Sequence, residues 1–245
     1  MRVYLCVVRV LSVGLLVPFM AAAAPAKTKG IDPALLAKAK AGDATAQCQI
    51  GLDYDNGDGV PQDYAKAASW YRKAANQGYA VAQYDLGDLF LFGKGVPIDY
   101  AQGITWFRKA AEQGNPSAQT DLARFYLIGK YVPQDYALAL SWYRKAAERG
   151  NPDGQAALAS LYENGRGVPQ DYSEAYFWMS LAAANRDLAG AYRFLSTEHA
   201  KDRDRIAARL SNTELLKVQK KARVWSAAHQ RRAQIELKPS VSTGK

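Results

Sequence analysis

The residues best placed to do chemistry lie in one short stretch, DYDNGDGVPQDY, residues 53–64. Asp53, Asp55 and Asp58 surround two glycines, much as carboxylates do in a calcium-binding loop. As an EF-hand the loop fails at two fixed places. Asp58 stands where the glycine of the sharp turn belongs, and Tyr64 where the bidentate glutamate belongs. Later turns of the same form, FGKGVPIDY, IGKYVPQDY and NGRGVPQDY, carry Lys94, Lys130 or Arg166 in place of Asp58. The stretch therefore reads as a turn, and no metal is expected. Other reactive side chains are few. The histidines are His199 and His229, and the cysteines are Cys6 and Cys48. HExxH, GxSxG, P-loop and paired CxxC patterns do not occur. Both histidines read as surface or packed residues and Cys48 as a small buried or semi-exposed one, so neither catalytic residues nor a cofactor are expected.

The chain opens with Arg2 and Arg9, an apolar run to Met20, and AAAAPAK. A basic start, a short apolar core and small residues describe a secretory signal peptide, residues 1–26, cleaved near 23–26. The apolar run is shorter than the roughly 20 residues a membrane-spanning helix needs. A periplasmic or secreted protein is the expectation. Cys6 would leave with the signal, so the remaining chain could form no internal disulfide. Charge is unevenly spread. Residues 27–185 hold 16 Lys+Arg against 17 Asp+Glu, a net of −1, whereas residues 186–245 hold 14 against 6, a net of +8. The basic C-terminal segment could meet an anionic membrane surface or envelope polymer. For an exported chain no nucleic-acid partner is expected.

The elements that position these residues form a repeat. VP recurs at 60, 96, 132 and 168, DY at 63, 99, 135 and 171, and tryptophan at 70, 106, 142 and 178, each step being 36 residues. Each unit reads as two helices. Ala67, Trp70, Tyr71 and Ala74 have the i, i+3, i+4, i+7 spacing of an apolar helical stripe, and their equivalents follow in later units. Gly78, Gly114 and Gly150 suit helix stops, and Asn115-Pro116 and Asn151-Pro152 suit helix starts. Ile50, Leu86, Leu122 and Leu158 recur at one first-helix site, beside the small residues Gly51, Gly87, Ala123 and Ala159. Aspartates 63, 99, 135 and 171 read as helix caps. Arg72-Lys73, Arg108-Lys109 and Arg144-Lys145 form a basic ridge, read as a solvated face.

The unit pattern A-Q-x-x-L-G-x-x-Y-x-x-G-x-G-V-P-x-D-Y-x-x-A-x-x-W-Y-R-K-A-A-x-x-G closely resembles the Sel-1-like repeat, a relative of the tetratricopeptide repeat. The resemblance implies an all-α, right-handed αα-solenoid acting as a protein-binding scaffold, often in bacterial envelopes or secretion. Some cysteine-rich relatives carry one disulfide per repeat and have been linked to β-lactams, a pattern this chain lacks. The expected organisation is an N-terminal capping helix (27–42) and repeats at 43–78, 79–114, 115–150 and 151–186. Basic capping helices (187–237) follow, from about Leu188 to Arg209 and about Thr213 to Ile235, then a disordered tail (238–245). Ser211 and Glu214 have capping-box spacing.

Repeat scaffolds bind through positions that differ between units. On the first helices these are Cys48, Leu52, Asp55 and Asn56, and their equivalents. In the middle units they become Tyr84, Asp88, Leu91 and Phe92, then Thr120, Arg124, Leu127 and Ile128. An exposed apolar strip flanked by one charge of each sign suits a peptide or partner helix; alternatively these residues pack against the following turn. The expected protein is a monomeric, non-enzymatic scaffold for a protein or peptide. A cell-wall-directed binder or hydrolase, related to peptidoglycan or β-lactams, is the other expectation.

Overall fold

Aspartate and glycine set the helix ends. Asp43, Asp63, Asp99 and Asp135 each cap a helix, their carboxylates accepting a hydrogen bond from the backbone N–H three residues on, at 2.8–2.9 Å. These amides hold the carboxyls of Asp63 and Asp99 below the usual aspartate range, aided by the side chains of Lys66 and Gln102. The helices that end at Asn56, Phe92 and Asn164 stop at Gly57, Gly93 and Gly165, which take left-handed φ values of 79°, 66° and 65°.

The computed structural model describes residues 30–184 and 192–236, with side chains described for 30–184 and 197–229. The expected signal segment and C-terminal tail lie outside these residues. Eleven helices occur among them, and no strand. They are α1 (Pro33–Lys40), α2 (Ala44–Asn56), α3 (Tyr64–Asn76), α4 (Ala80–Phe92), α5 (Tyr100–Glu112), α6 (Pro116–Ile128), α7 (Tyr136–Glu148), α8 (Pro152–Asn164), α9 (Tyr172–Ala184), α10 (Tyr192–Ala207) and α11 (Asn212–Glu236). The fold is all-α and of the αα-solenoid class, built from consecutive packed helix pairs. The chain divides into two compact units, Met1–Ala118 and Gln119–Lys245, with the boundary inside α6.

In the first unit α1 packs on α2, α2 on α3, α3 on α4 and α4 on α5. The recurring sites Ile50 and Leu86 are wholly buried. Gly51 and Gly87 admit aromatic rings from the second helix: a Cβ on Gly51 would lie 2.6 Å from the Tyr71 ring, and one on Gly87 2.7 Å from Phe107. A buried glutamine also joins successive pairs. Gln47 Nε2 donates to the Ala39 carbonyl at 3.0 Å and Gln83 Nε2 to that of Ala75 at 3.1 Å. Their carbonyl oxygens accept from Gln77 and Gln113 at 2.8 and 2.6 Å. This ladder satisfies polar groups that helix packing would otherwise strand.

In the second unit α7 packs on α8, α8 on α9, and α9 on both α10 and α11. Gln155 repeats the ladder bond, donating to the Ala147 carbonyl at 3.2 Å. Ser180 and Leu181 replace the Arg-Lys pair of earlier units, and Phe177, Trp178, Met179 and Leu181 are all buried. The Trp225 ring meets those of Phe177 and Trp178 edge-on, centroids 6.4 and 6.1 Å away. The start of α11 carries the expected capping box. Ser211 N–H and hydroxyl donate to Glu214 at 2.9 and 2.7 Å, and Glu214 N–H donates back. Those bonds hold the Glu214 carboxyl below the usual glutamate range.

Candidate functional site

The acidic stretch is an inter-helix turn. Gly57 N–H and Asp58 N–H both donate to the Asp53 carbonyl, and Asp63 N–H to that of Tyr54. Burial raises the Asp53 carboxyl above its usual range. No group of three or more His, Cys, Asp or Glu able to hold a metal occurs among the described residues. Packing absorbs Cys48 and His229. Cys48 is buried, its Sγ 3.9 Å from an Asp85 carboxylate oxygen. His229 stacks on Trp225, centroids 3.3 Å apart, and its ring nitrogens lie 3.1 Å from the carbonyls of Trp225 and Glu148.

The variable positions are not uniformly a surface. In the first unit Leu91 is only 3% exposed, so its place on an exposed strip is corrected. Gly103 on α5 leaves the space it fills; a Cβ there would lie 2.7 Å from Leu91 Cδ2. Tyr84 is half-buried, edge-on to Phe107 with centroids 5.0 Å apart. Asp88 is half-buried, and Phe92 remains exposed. In the second unit Thr120 is half-buried and donates to Asn151 Oδ1 at 3.3 Å. Arg124 is exposed and paired with Asp121 at 2.6 Å. Beside them burial pushes the Tyr143 hydroxyl up to about 12, Arg124 opposing and Asp121 reinforcing the shift. Leu127 is half-buried and its carbonyl accepts from Gln134 at 2.8 Å; Ile128 is exposed.

What each unit presents is a turn edge rather than a helix face. In the first unit Phe92 (42%), Ile98 (57%) and Tyr100 (47%) are exposed around the α4–α5 turn. In the second, Ile128 (55%), Tyr136 (37%) and Leu138 (42%) are exposed around the α6–α7 turn. Phe92 and Ile128 occupy the same repeat position, as do Tyr100 and Tyr136. Lys94 approaches both the Phe92 and Tyr64 rings, at 5.7 and 5.6 Å. Ile98, Tyr100, Tyr136 and Leu138 escaped the helix-by-helix comparison because they lie just beyond the first helix. Ile98, where the other three turns have glutamine, was the available signal. The basic ridge is stacked on the tryptophans, with Lys73, Lys109 and Lys145 lying 4.1, 4.2 and 3.9 Å from the Trp70, Trp106 and Trp142 rings.

The α8–α9 turn differs. Glu163 stands at the Leu91 position and pairs with both guanidinium nitrogens of Arg205. Arg209 donates to the Tyr172 hydroxyl at 3.2 Å and lies over its ring.

A family model described as Sel1 repeat matches residues 44–79, 80–115, 116–151 and 152–187. Among solved structures, a Sel1 repeat protein from Oxalobacter formigenes is 36% identical with a TM-score of 0.58, over 62% of this chain and 61% of its own. A protective antigen from uropathogenic Escherichia coli strains, displaying an SLR fold, is 27% identical with a TM-score of 0.51, over 86% of this chain and 52% of its own. The chain thus spans about three fifths and one half of the lengths of these relatives. No curated protein sequence matches it.

Proposed function

The chain belongs to the Sel1 repeat family, and on that premise we propose a non-enzymatic scaffold that holds a protein or peptide partner in the bacterial cell envelope. Sel1 repeat proteins are protein-interaction scaffolds, which supports the general reading. The observation that carries the particular one is the recurrence of large exposed apolar side chains at equivalent turn positions, Phe92 with Ile128 and Tyr100 with Tyr136. The equivalent core positions in those repeats, Leu86 and Leu122, are wholly buried. The apolar anchors beside Lys94 in the first unit, and those beside Arg124 in the second, each suit an apolar segment with acidic flanks. The envelope location rests on the N-terminal sequence pattern, and the scaffold acts as a monomer.

Phe92→Ser with Ile128→Ser tests the reading. Partners crosslinked to the tagged wild-type chain in envelope extract are identified and their affinities measured with purified components. The double variant should bind at least about tenfold more weakly, since each lost apolar anchor removes about 1–2 kcal/mol. Its far-UV spectrum and melting midpoint should match wild type, because both side chains are exposed. Undiminished affinity in a folded variant would reject the turn edge as the site.

A further inference from the structure

The outward face of α11 carries a surface that the repeats do not explain. At 100° per residue, Leu216, Lys220, Val224, Lys217 and Lys221 fall in succession within a 140° arc. Val218 and Ala222 lie on the opposite side and are buried. Leu216 and Val224 are 65% and 62% exposed, the highest values among the large apolar side chains described. A shallow depression of about 570 Å³ opens beside them, floored by Phe177, Val224, Trp225 and Ala228 and rimmed by Lys217, Lys220 and Lys221. Lys221 pairs with Glu174 and lies 4.3 Å from the Phe177 ring. Among the described residues Lys217 and Lys220 have no ion-pair partner.

We propose that this face of α11 rests on an anionic lipid surface, its lysines meeting headgroup phosphates and Leu216 and Val224 entering the interface. A basic patch alone would suit any polyanion; apolar side chains in the middle of the lysines are what a lipid interface uses and a phosphate polymer does not. The outside of a helix meets a plane more readily than it clasps a peptide. Lysine stems can lie along the apolar centre while their ammonium groups reach phosphate. No described helix is long and apolar enough to cross a membrane, so the association is parallel to the surface. The residues are separate from the turn edge, and the two proposals stand or fall independently.

Co-sedimentation of the full chain with vesicles tests this. Phosphatidylcholine vesicles give the baseline contributed by the rest of the chain, including its apolar N-terminal run, and phosphatidylglycerol supplies the anionic headgroup. The wild type should partition preferentially onto the mixed vesicles. Lys217→Gln with Lys220→Gln should lower that preference about twentyfold, at about fivefold per lysine near an anionic surface. Leu216→Ser with Val224→Ser, which leaves charge untouched, should lower binding to the mixed vesicles about fivefold. Circular dichroism checks that both variants remain helical. Equal wild-type binding to neutral and anionic vesicles overturns the proposal. So does an unchanged serine variant whose vesicle binding soluble polyphosphate abolishes, which would make the face a polyanion site. Binding of an acidic amphipathic peptide through the same residues, without vesicle binding, would assign it to a partner helix instead.

Discussion

The α4–α5 turn of the first unit and the α8–α9 turn of the second share one backbone design. Each has two left-handed glycines, Gly93 and Gly95 at 66° in one, Gly165 and Gly167 at 65° and 72° in the other. In each the capping aspartate N–H closes onto the preceding helix, Asp99 to Phe90 and Asp171 to Tyr162, at 3.0 and 2.9 Å. The side chains then diverge. The first turn shows Phe92, Ile98 and Tyr100 to solvent, whereas the second places Glu163 and Tyr172 against Arg205 in the last turn of α10 and Arg209 just beyond it. Backbone geometry is common to these two turns; a few side chains decide whether the chain covers a turn itself or leaves it exposed.

Removing the anchor of the covering segment should have the largest effect. Trp225→Ala deletes the ring between Phe177, Trp178 and His229, at a cost of about 3 kcal/mol to the second unit. Chemical denaturation followed by circular dichroism measures this. A loss below about 1 kcal/mol would mean that the Arg205 and Arg209 contacts hold the segment without it. A smaller effect comes from giving the second turn the first one's residues, Glu163→Leu with Asn164→Phe. Arg205 is more than half exposed, so losing its carboxylate should cost no more than about 1 kcal/mol. If turn chemistry decides coverage, the variant should also bind more of a hydrophobic dye than the wild type does; unchanged dye binding would argue that packing of α10 and α11 alone decides.

The smallest effect concerns acid. The carboxyls of Asp63 and Asp99 titrate below their ordinary value in the folded chain. Their stabilisation is therefore full above the ordinary aspartate value of about 3.9 and fades as pH falls through the lower folded values. Asp63→Asn with Asp99→Asn should flatten the drop in melting midpoint between pH 5 and pH 2, relative to wild type. An equally steep drop in the variant would assign the acid sensitivity to other carboxylates.

The repeat was legible because helix ends are written locally. Aspartate before a helix and glycine after it act through bonds spanning three or four residues, so α2 to α5 and the α11 capping box could be read directly. The face was legible only in part. Position 91 differs between units, yet Leu91 is buried because Gly103, twelve positions on, leaves it room where the neighbouring repeats have Ala67 and Ala139. Variation there marks exchange of volume between two helices, which one helix read alone cannot show. Cys48 was lost to burial in the same way. The exposed tyrosines, 100 and 136, were hidden by regularity, since every repeat carries the same DY pair and only packing separates Tyr100 from half-buried Tyr172. The pairing of Glu163 with Arg205 joins residues 42 apart and follows no spacing rule.

The glutamine ladder bears on how such a chain can change its length. Gln47 and Gln83 each reach back to the preceding pair and are met by a glutamine at the end of their own pair, through bonds alike at both steps. Copying the 36-residue unit that lies between these two joints therefore recreates a joint that already exists, with both glutamine amides partnered as before. Removing a single residue within a helix would instead turn the glutamine out of register. A gene under selection for reach thus has an easy step of one unit, and its descendants should differ in number of turns more readily than in the spacing between them.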